Sequence, residues 1–330
     1  MDVTRAAGCA MVVMLHVSAT FFYAFGPLWI PAITFDALVR GCVPIFFMLS
    51  GALLLAKDEP ILPFYRRRVL RIVPPLVFWT IVYVYLFGDR SIPLADQIGY
   101  YMTRAYGHLW YFYTLLGLYL SAPYLRKMLR ASSEREIRIF LFLWFFFACI
   151  LYQVRVLYAA WWDPTNFLGV QLFSGYLGFF VLGAYLQQYR PVTTTGGRWA
   201  CALLFLGSSL ASGILTFQHS LHVGKPDESF YFGYLSPLVA IAAAAAFSFF
   251  TSITSLPNWL AVAVRVVSDC SLGIYCLHVM IISYYVEHLH MPEALHTTWF
   301  KIPILWAAIF GTATLAIYVA RKVPLFRRVA

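Results

Sequence analysis

Residues 34–56 read TFDALVRGCVPIFFMLSGALLLA. A helix needs ~20 mostly apolar residues to cross the ~30 Å hydrocarbon core of a bilayer. This run supplies them with two exceptions. Asp36 and Arg40 stand four apart, on one helical face near the outer end of the run. Pro44 has no amide N–H and favours a kink. Ser50 and Gly51 are small enough to admit a closely packed neighbour. The same template, carried outward along the chain, finds ten candidate spans at about 4–24, 34–56, 70–88, 108–125, 138–158, 167–187, 199–218, 230–251, 269–287 and 302–321. The first is too long for a cleavable leader, and no small-residue cleavage site follows it.

Composition agrees. Of the 330 residues 62% are hydrophobic and 12% charged, with a mean hydropathy of +0.74. A soluble domain runs at roughly 45–50% apolar and about 25% charged, so no soluble globule could hide this surface. Disorder, a coiled coil and a disulfide scaffold are excluded on the same ground. The six cysteines lie in apolar stretches without a CxxC pair, so neither a disulfide nor a zinc site is implied. The net charge of +10 belongs to membrane topology rather than to nucleic acid. Placing both termini and the even-numbered connections in the cytoplasm puts eighteen of the 24 Lys and Arg residues there. The expected fold is therefore all-α: a polytopic membrane helix bundle of about ten transmembrane helices with both termini cytoplasmic. It forms a single integral-membrane domain over 1–330 with no appended soluble domain and no obvious internal repeat.

Ionisable residues inside a membrane are costly and mark function by default. His16 lies deep in the first span, eleven residues after Arg5. At ~100° per residue the two share a face, about 16 Å apart along the axis. A packed histidine above a snorkelling arginine is the plain alternative. Asp36 and Arg40 lie at about the depth of His16, where a local ion pair is the alternative. Between spans two and three, Phe64-Tyr-Arg66-Arg67-Arg68-Val-Leu-Arg71-Ile-Val-Pro74-Pro75 carries four arginines in six positions. Arginine forks match phosphate oxygens, and lipid headgroups compete for that assignment. His108 opens span four beside Trp110, and His278 lies nine residues beyond Asp269 in span nine. His16, His108 and His278 can approach one another in the outer half of the bundle. They come from different helices without a carboxylate, which is weak support for a metal, as are His219, His222, His288, His290 and His296 in outer loops. No GxSxG elbow or P-loop is present.

Five motifs occur in order: Arg5-x10-His16; Arg40-x2-Val-Pro44-x-Phe-Phe-Met-x-Ser50-Gly51; Arg68-x2-Arg71-Ile-x-Pro74; His108-Leu-Trp110-Tyr; and Ser271-Leu-Gly-Ile-Tyr275-x2-His278. Together they resemble membrane-bound acyltransferase family 3, over about residues 2–280. Within it the chain is most similar to stand-alone surface-glycan O-acetyltransferases, those of the enterobacterial common antigen type included. The resemblance implies acetyl-CoA as donor and co-substrate, with no metal, and a saccharide or glycolipid hydroxyl as acceptor at the outer half of a bacterial inner (plasma) membrane. Partners are then the acyl-CoA, the glycan and membrane lipids, not nucleic acid, with a homo-oligomer left open. It implies Arg5 and His16 as the catalytic signature and Arg68 and Arg71 as the acyl-CoA motif.

CoA carries a phosphate-rich head on a long thin pantetheine arm. The CoA phosphates would sit on Arg68 and Arg71, with Arg5 and Arg67 beside them, and Ser50 and Gly51 would leave room for the pantetheine arm. His16 would be the general base. Arg40 would stabilise the oxyanion or orient the acceptor, held by Asp36. Asp36, His108, Trp110 and His278 are assigned to the acceptor side, simple hydrogen-bonded packing being the alternative for His278. Outer aromatics Trp161, Trp162, Tyr231 and Tyr234 suit either a sugar or the interfacial belt. An acetyl-histidine relay through His16 stands beside direct transfer. A transporter or flippase for a small anion or lipid-linked sugar, or a membrane scaffold, are the rival functions. A different short acyl group would use the same arginines.

Overall fold

A computed structural model of the chain describes residues 1–158, 168–173, 175–288, 298–324 and 326. Among the described residues the protein is built of helices without strands. In chain order these are α1 (Asp2–Ala19), α2 (Trp29–Val39), α3 (Cys42–Leu54), α4 (Ile61–Phe87), α5 (Leu94–Arg104), α6 (Trp110–Ala131), α7 (Glu134–Leu157), α8 (Leu177–Tyr189), α9 (Thr195–Val223), α10 (Pro237–Thr251), α11 (Asn258–Ser283) and α12 (Thr298–Ala320). Each of the ten expected spans overlaps one of them. Among the described residues six stretches are long and apolar enough to cross a membrane: Trp29–Leu54, Ile61–Phe87, Glu134–Leu157, Thr195–Val223, Asn258–Val286 and Trp299–Ala320. The chain is an integral membrane protein.

Local chemistry explains the boundaries. Pro44 cannot donate to the carbonyl of Arg40, and the chain breaks between α2 and α3 at Arg40 and Gly41. Ser133 and Glu136 form a reciprocal capping box at the start of α7, with Ser133 Oγ accepting from the Glu136 amide at 3.3 Å. Thr194 caps α9, which ends on Gly224 in the left-handed region (φ 72°). Pro237 begins α10, so the apolar residues 230–236 form a connection rather than the expected helix.

α1 is the central element, packed by α2, α3, α10, α11 and α12. That position lets a helix with Arg5 and His16 keep both away from lipid. α3 lies on α8 through glycines. A Cβ at Gly51 would fall 1.7 Å from the Phe180 carbonyl oxygen, and one at Gly183 2.0 Å from that of Met48. The two backbones therefore touch along a seam that admits no side chain.

Candidate active site

Five helices and one connection wall a cavity of about 350 Å³. Each helix contributes a ladder of residues: Arg5 and Val12 from α1, Val43 down to Leu54 from α3, Tyr111 down to Tyr119 from α6, and Ser271 and Tyr275 from α11. Lys57 follows α3, and Arg68, Arg71 and Ile72 come from α4. Read along the helices, one end is basic (Arg5, Lys57, Arg68, Arg71) and the other apolar and aromatic.

The basic end is braced. Arg5 Nη1 donates to Ser268 Oγ at 3.0 Å and lies 3.4 Å from Asp2 Oδ1, while Ser268 Oγ donates to the same Asp2 oxygen at 3.0 Å. Phe64, Arg68 and Arg71 follow i, i+4, i+7 and so share a face of α4. The Arg68 guanidinium lies over the Phe64 ring at 5.1 Å and 3.6 Å from Glu59. Its Nε is buried and has no hydrogen-bond partner among the described residues. Buried Arg126 donates to the carbonyls of Leu54 (2.9 Å) and Glu59 (3.0 Å), which fixes the connection carrying Lys57 and Glu59.

Beyond the aromatic end lie three histidines. His16, half-buried, has Nδ1 3.0 Å from the Val12 carbonyl and 3.2 Å from His278 Nε2. His278 Nδ1 is 3.1 Å from the Ile274 carbonyl, the same one-turn arrangement. A carbonyl only accepts, so it assigns the proton of His278 to Nδ1 and leaves Nε2 to accept. His16 must then hold its proton on Nδ1, leaving Nε2 as the unprotonated nitrogen. The His108 ring meets His16 and His278 edge-on, with centroids 6.0 and 5.3 Å away. Its carbonyl accepts from Tyr275 of the cavity wall, and its Nε2 is buried without a partner among the described residues. The three rings do not converge on a cation. Among the described residues no group of three His, Cys, Asp or Glu is arranged to hold a metal ion.

On the far side of His16 is an ion cluster. Arg40 presents Nε and Nη2 to Asp36 at 2.6 and 2.9 Å, and Nη2 also pairs with Glu228 from the α9–α10 connection. Its guanidinium lies over the Phe232 ring at 4.8 Å. Tyr23 donates to Glu228 at 2.7 Å. Trp110 stands between Tyr176 and Tyr234, with centroids 5.8 and 5.9 Å from its own.

A family model described as an acyltransferase domain matches residues 1–321 of this chain. The chain belongs to the acyltransferase 3 family. No curated protein matches it, and no solved structure does. Fold and family together make it an integral-membrane acyltransferase.

Within this acyltransferase the motif residues gather as follows. Arg5, Arg68 and Arg71 line one cavity, whereas Arg67 does not. Its side chain is 60% exposed and pairs with Glu59. Ser50 lines the cavity, but Gly51 faces away, into the seam with α8. His16, His108 and His278 come together. His278 and Asp36 have no exposed surface; His278 meets His16, and Asp36 meets Arg40. Trp161, Trp162, His290 and His296 lie outside the described residues, as does the side chain of His288. Glu228, Ser268, Glu59 and Arg126 were missed. Glu228 had one visible signal: it is the last charge before Arg265 and stands just ahead of the aromatic run Phe230–Tyr234.

Proposed function

We propose that this protein transfers an acetyl group from cytoplasmic acetyl-CoA to a hydroxyl of a surface or lipid-linked saccharide at the outer half of the membrane. In this scheme the chain is one domain that spans a bacterial inner membrane ten times, with both termini inside. The observation that carries it is the run of one cavity from four cations to Val12, whose carbonyl meets the ring of His16. Arg5, Lys57, Arg68 and Arg71 suit a phosphate-rich head, and the unpartnered Nε of Arg68 is one donor left for it. The narrow aromatic end suits a thioester arm.

The chemistry follows from the tautomer. His16 Nε2 takes the proton of the acceptor hydroxyl as its oxygen attacks the thioester carbonyl. The carbon–sulfur bond breaks, the thiolate takes the proton back from the imidazolium, and ester and free CoA result. Arg40, held by Asp36 and acting electrostatically on His16, is the cation for orienting the acceptor or the oxyanion.

The test is release of free CoA from acetyl-CoA by the purified protein in liposomes, with and without glycolipid acceptors. Acceptor-stimulated release that vanishes in His16→Ala, with weaker donor binding in an Arg68→Ala/Arg71→Ala variant, is expected. Failure of every form to bind acetyl-CoA would overturn the donor assignment.

A further inference from the structure

The cavity and the ion cluster that acts electrostatically on His16 carry opposite charge. Four cations face the cavity at the basic end. In the ion cluster Arg40 is met by two carboxylates, so the group Asp36–Arg40–Glu228 has one net negative charge. Of these three side chains Asp36 is wholly buried and Arg40 is 9% exposed, whereas Glu228 keeps 35% of its side-chain surface. Glu228 is therefore the charge an incoming molecule meets.

Its carboxylate is oriented but not used up. Oε2 takes Arg40 and Oε1 takes the Tyr23 hydroxyl. An ionised carboxylate offers about four acceptor positions in all, which leaves about two free. The segment that carries Glu228 is held on both sides. Asp227 Oδ1 accepts from the amide and hydroxyl of Ser229 at 2.8 and 2.6 Å, and the Asp227 amide donates to Ser220 at 3.0 Å. The carbonyls of Phe230 and Tyr231 accept from Gln153 and Ser212, each at 2.9 Å. A carboxylate fixed in this way costs little further ordering when it binds. Beside it the Tyr23 ring is 61% exposed, an aromatic face next to hydroxyl acceptors.

We infer that Glu228 is the specificity-determining residue for the acceptor. It accepts hydrogen bonds from hydroxyls of an uncharged saccharide and turns away a sugar bearing a carboxylate at that position. The inference rests on the acyltransfer proposed above and names its substrate class. A second carboxylate within ~6 Å of Glu228 is repelled, and at a partly exposed, salt-screened position this is worth about tenfold in affinity, or about 1.4 kcal/mol.

The test uses the full chain in nanodiscs and matched glucoside and glucuronide glycosides. Binding without donor is read by saturation-transfer NMR, and transfer by product formation from acetyl-CoA. Wild type is expected to favour the glucoside about tenfold in both. Glu228→Gln keeps shape and removes charge, so it should bring the ratio to within about threefold, chiefly by improving the glucuronide. Tyr23→Phe, which frees one oxygen without changing charge, should leave the ratio intact and alter acceptor KM alone. A wild type indifferent to the carboxylate, or an unchanged ratio in Glu228→Gln, would overturn the inference while transfer itself stands. Charge-selective binding without any transfer would instead refute the acyltransfer scheme and leave Glu228 as the selector.

Discussion

Replacing His278 removes one of the two groups that meet His16 Nδ1, at 3.2 Å, and leaves the other, the Val12 carbonyl, at 3.0 Å. If His278 only positions His16, the loss is one neutral hydrogen bond, about 1 kcal/mol. Applied to the barrier, that is about a fivefold fall in kcat. Removing the base itself forfeits general-base catalysis, typically ~10²–10⁴-fold. His278 is fully buried, so the substitutions must keep volume. His278→Gln retains an acceptor and should stay within about twofold of wild type, whereas His278→Leu should show the full fivefold loss. Both should keep the donor KM, since His278 does not line the cavity. The assay is acetyl-CoA turnover in proteoliposomes at saturating acceptor, with thermal unfolding as the control for folding. A folded His278→Leu as inactive as His16→Ala would refute the positioning role, because His278 would then carry a proton itself. Equal activity of Leu and Gln variants with wild type would show that Val12 alone sets the tautomer.

Other outcomes follow from the same geometry. Arg68→Ala and Arg71→Ala should each raise the acetyl-CoA KM about tenfold through the loss of a charge-assisted contact, while exposed Arg67→Ala should change it less than about twofold; donor titrations at two salt concentrations check this. Ser268→Ala takes the 3.0 Å partner from Arg5 and should cost a few-fold in donor KM, about 1 kcal/mol, with kcat kept. Gly51→Ala and Gly183→Ala force a methyl into a carbonyl and should destabilise by ~1–3 kcal/mol or more, read as a lowered Tm in detergent against Gly117→Ala, which has open space.

The all-helical membrane bundle was legible because lipid demands long apolar helices, and six stretches among the described residues are long and apolar enough to cross, against the ten spans expected. The boundaries were less so. Apolar loops such as 230–236 satisfy the same hydropathy window, and Pro237 rather than hydrophobicity decides where α10 starts. The shared face of Arg5 and His16 was readable because helical periodicity alone fixes it. The meeting of three histidines was anticipated from their depth in different spans, but the hydrogen bonds that orient their rings were not. Which ring nitrogen is free depends on carbonyls one turn away, and whether a histidine meets substrate depends on burial. The pairing of Glu228 with Arg40 lay beyond sequence reasoning because the two are 188 residues apart and nothing periodic links them. The bracing of Arg5 by Ser268 spans 263 residues and was hidden for the same reason.

The seam between α3 and α8 has a consequence for how such an enzyme can change its donor. With Gly51 and Gly183 already at carbonyl contact, α3 has nowhere to retreat, and that side of the cavity is set at the level of the main chain. Room for a longer acyl group has to come from side chains that face the cavity, Phe46 on α3 itself and Phe112 and Tyr275 opposite. Under the proposed acyltransfer, donor choice is thus written in a few replaceable aromatic rings on a frame that stays put, so one acyl group can be exchanged for another without refolding the bundle.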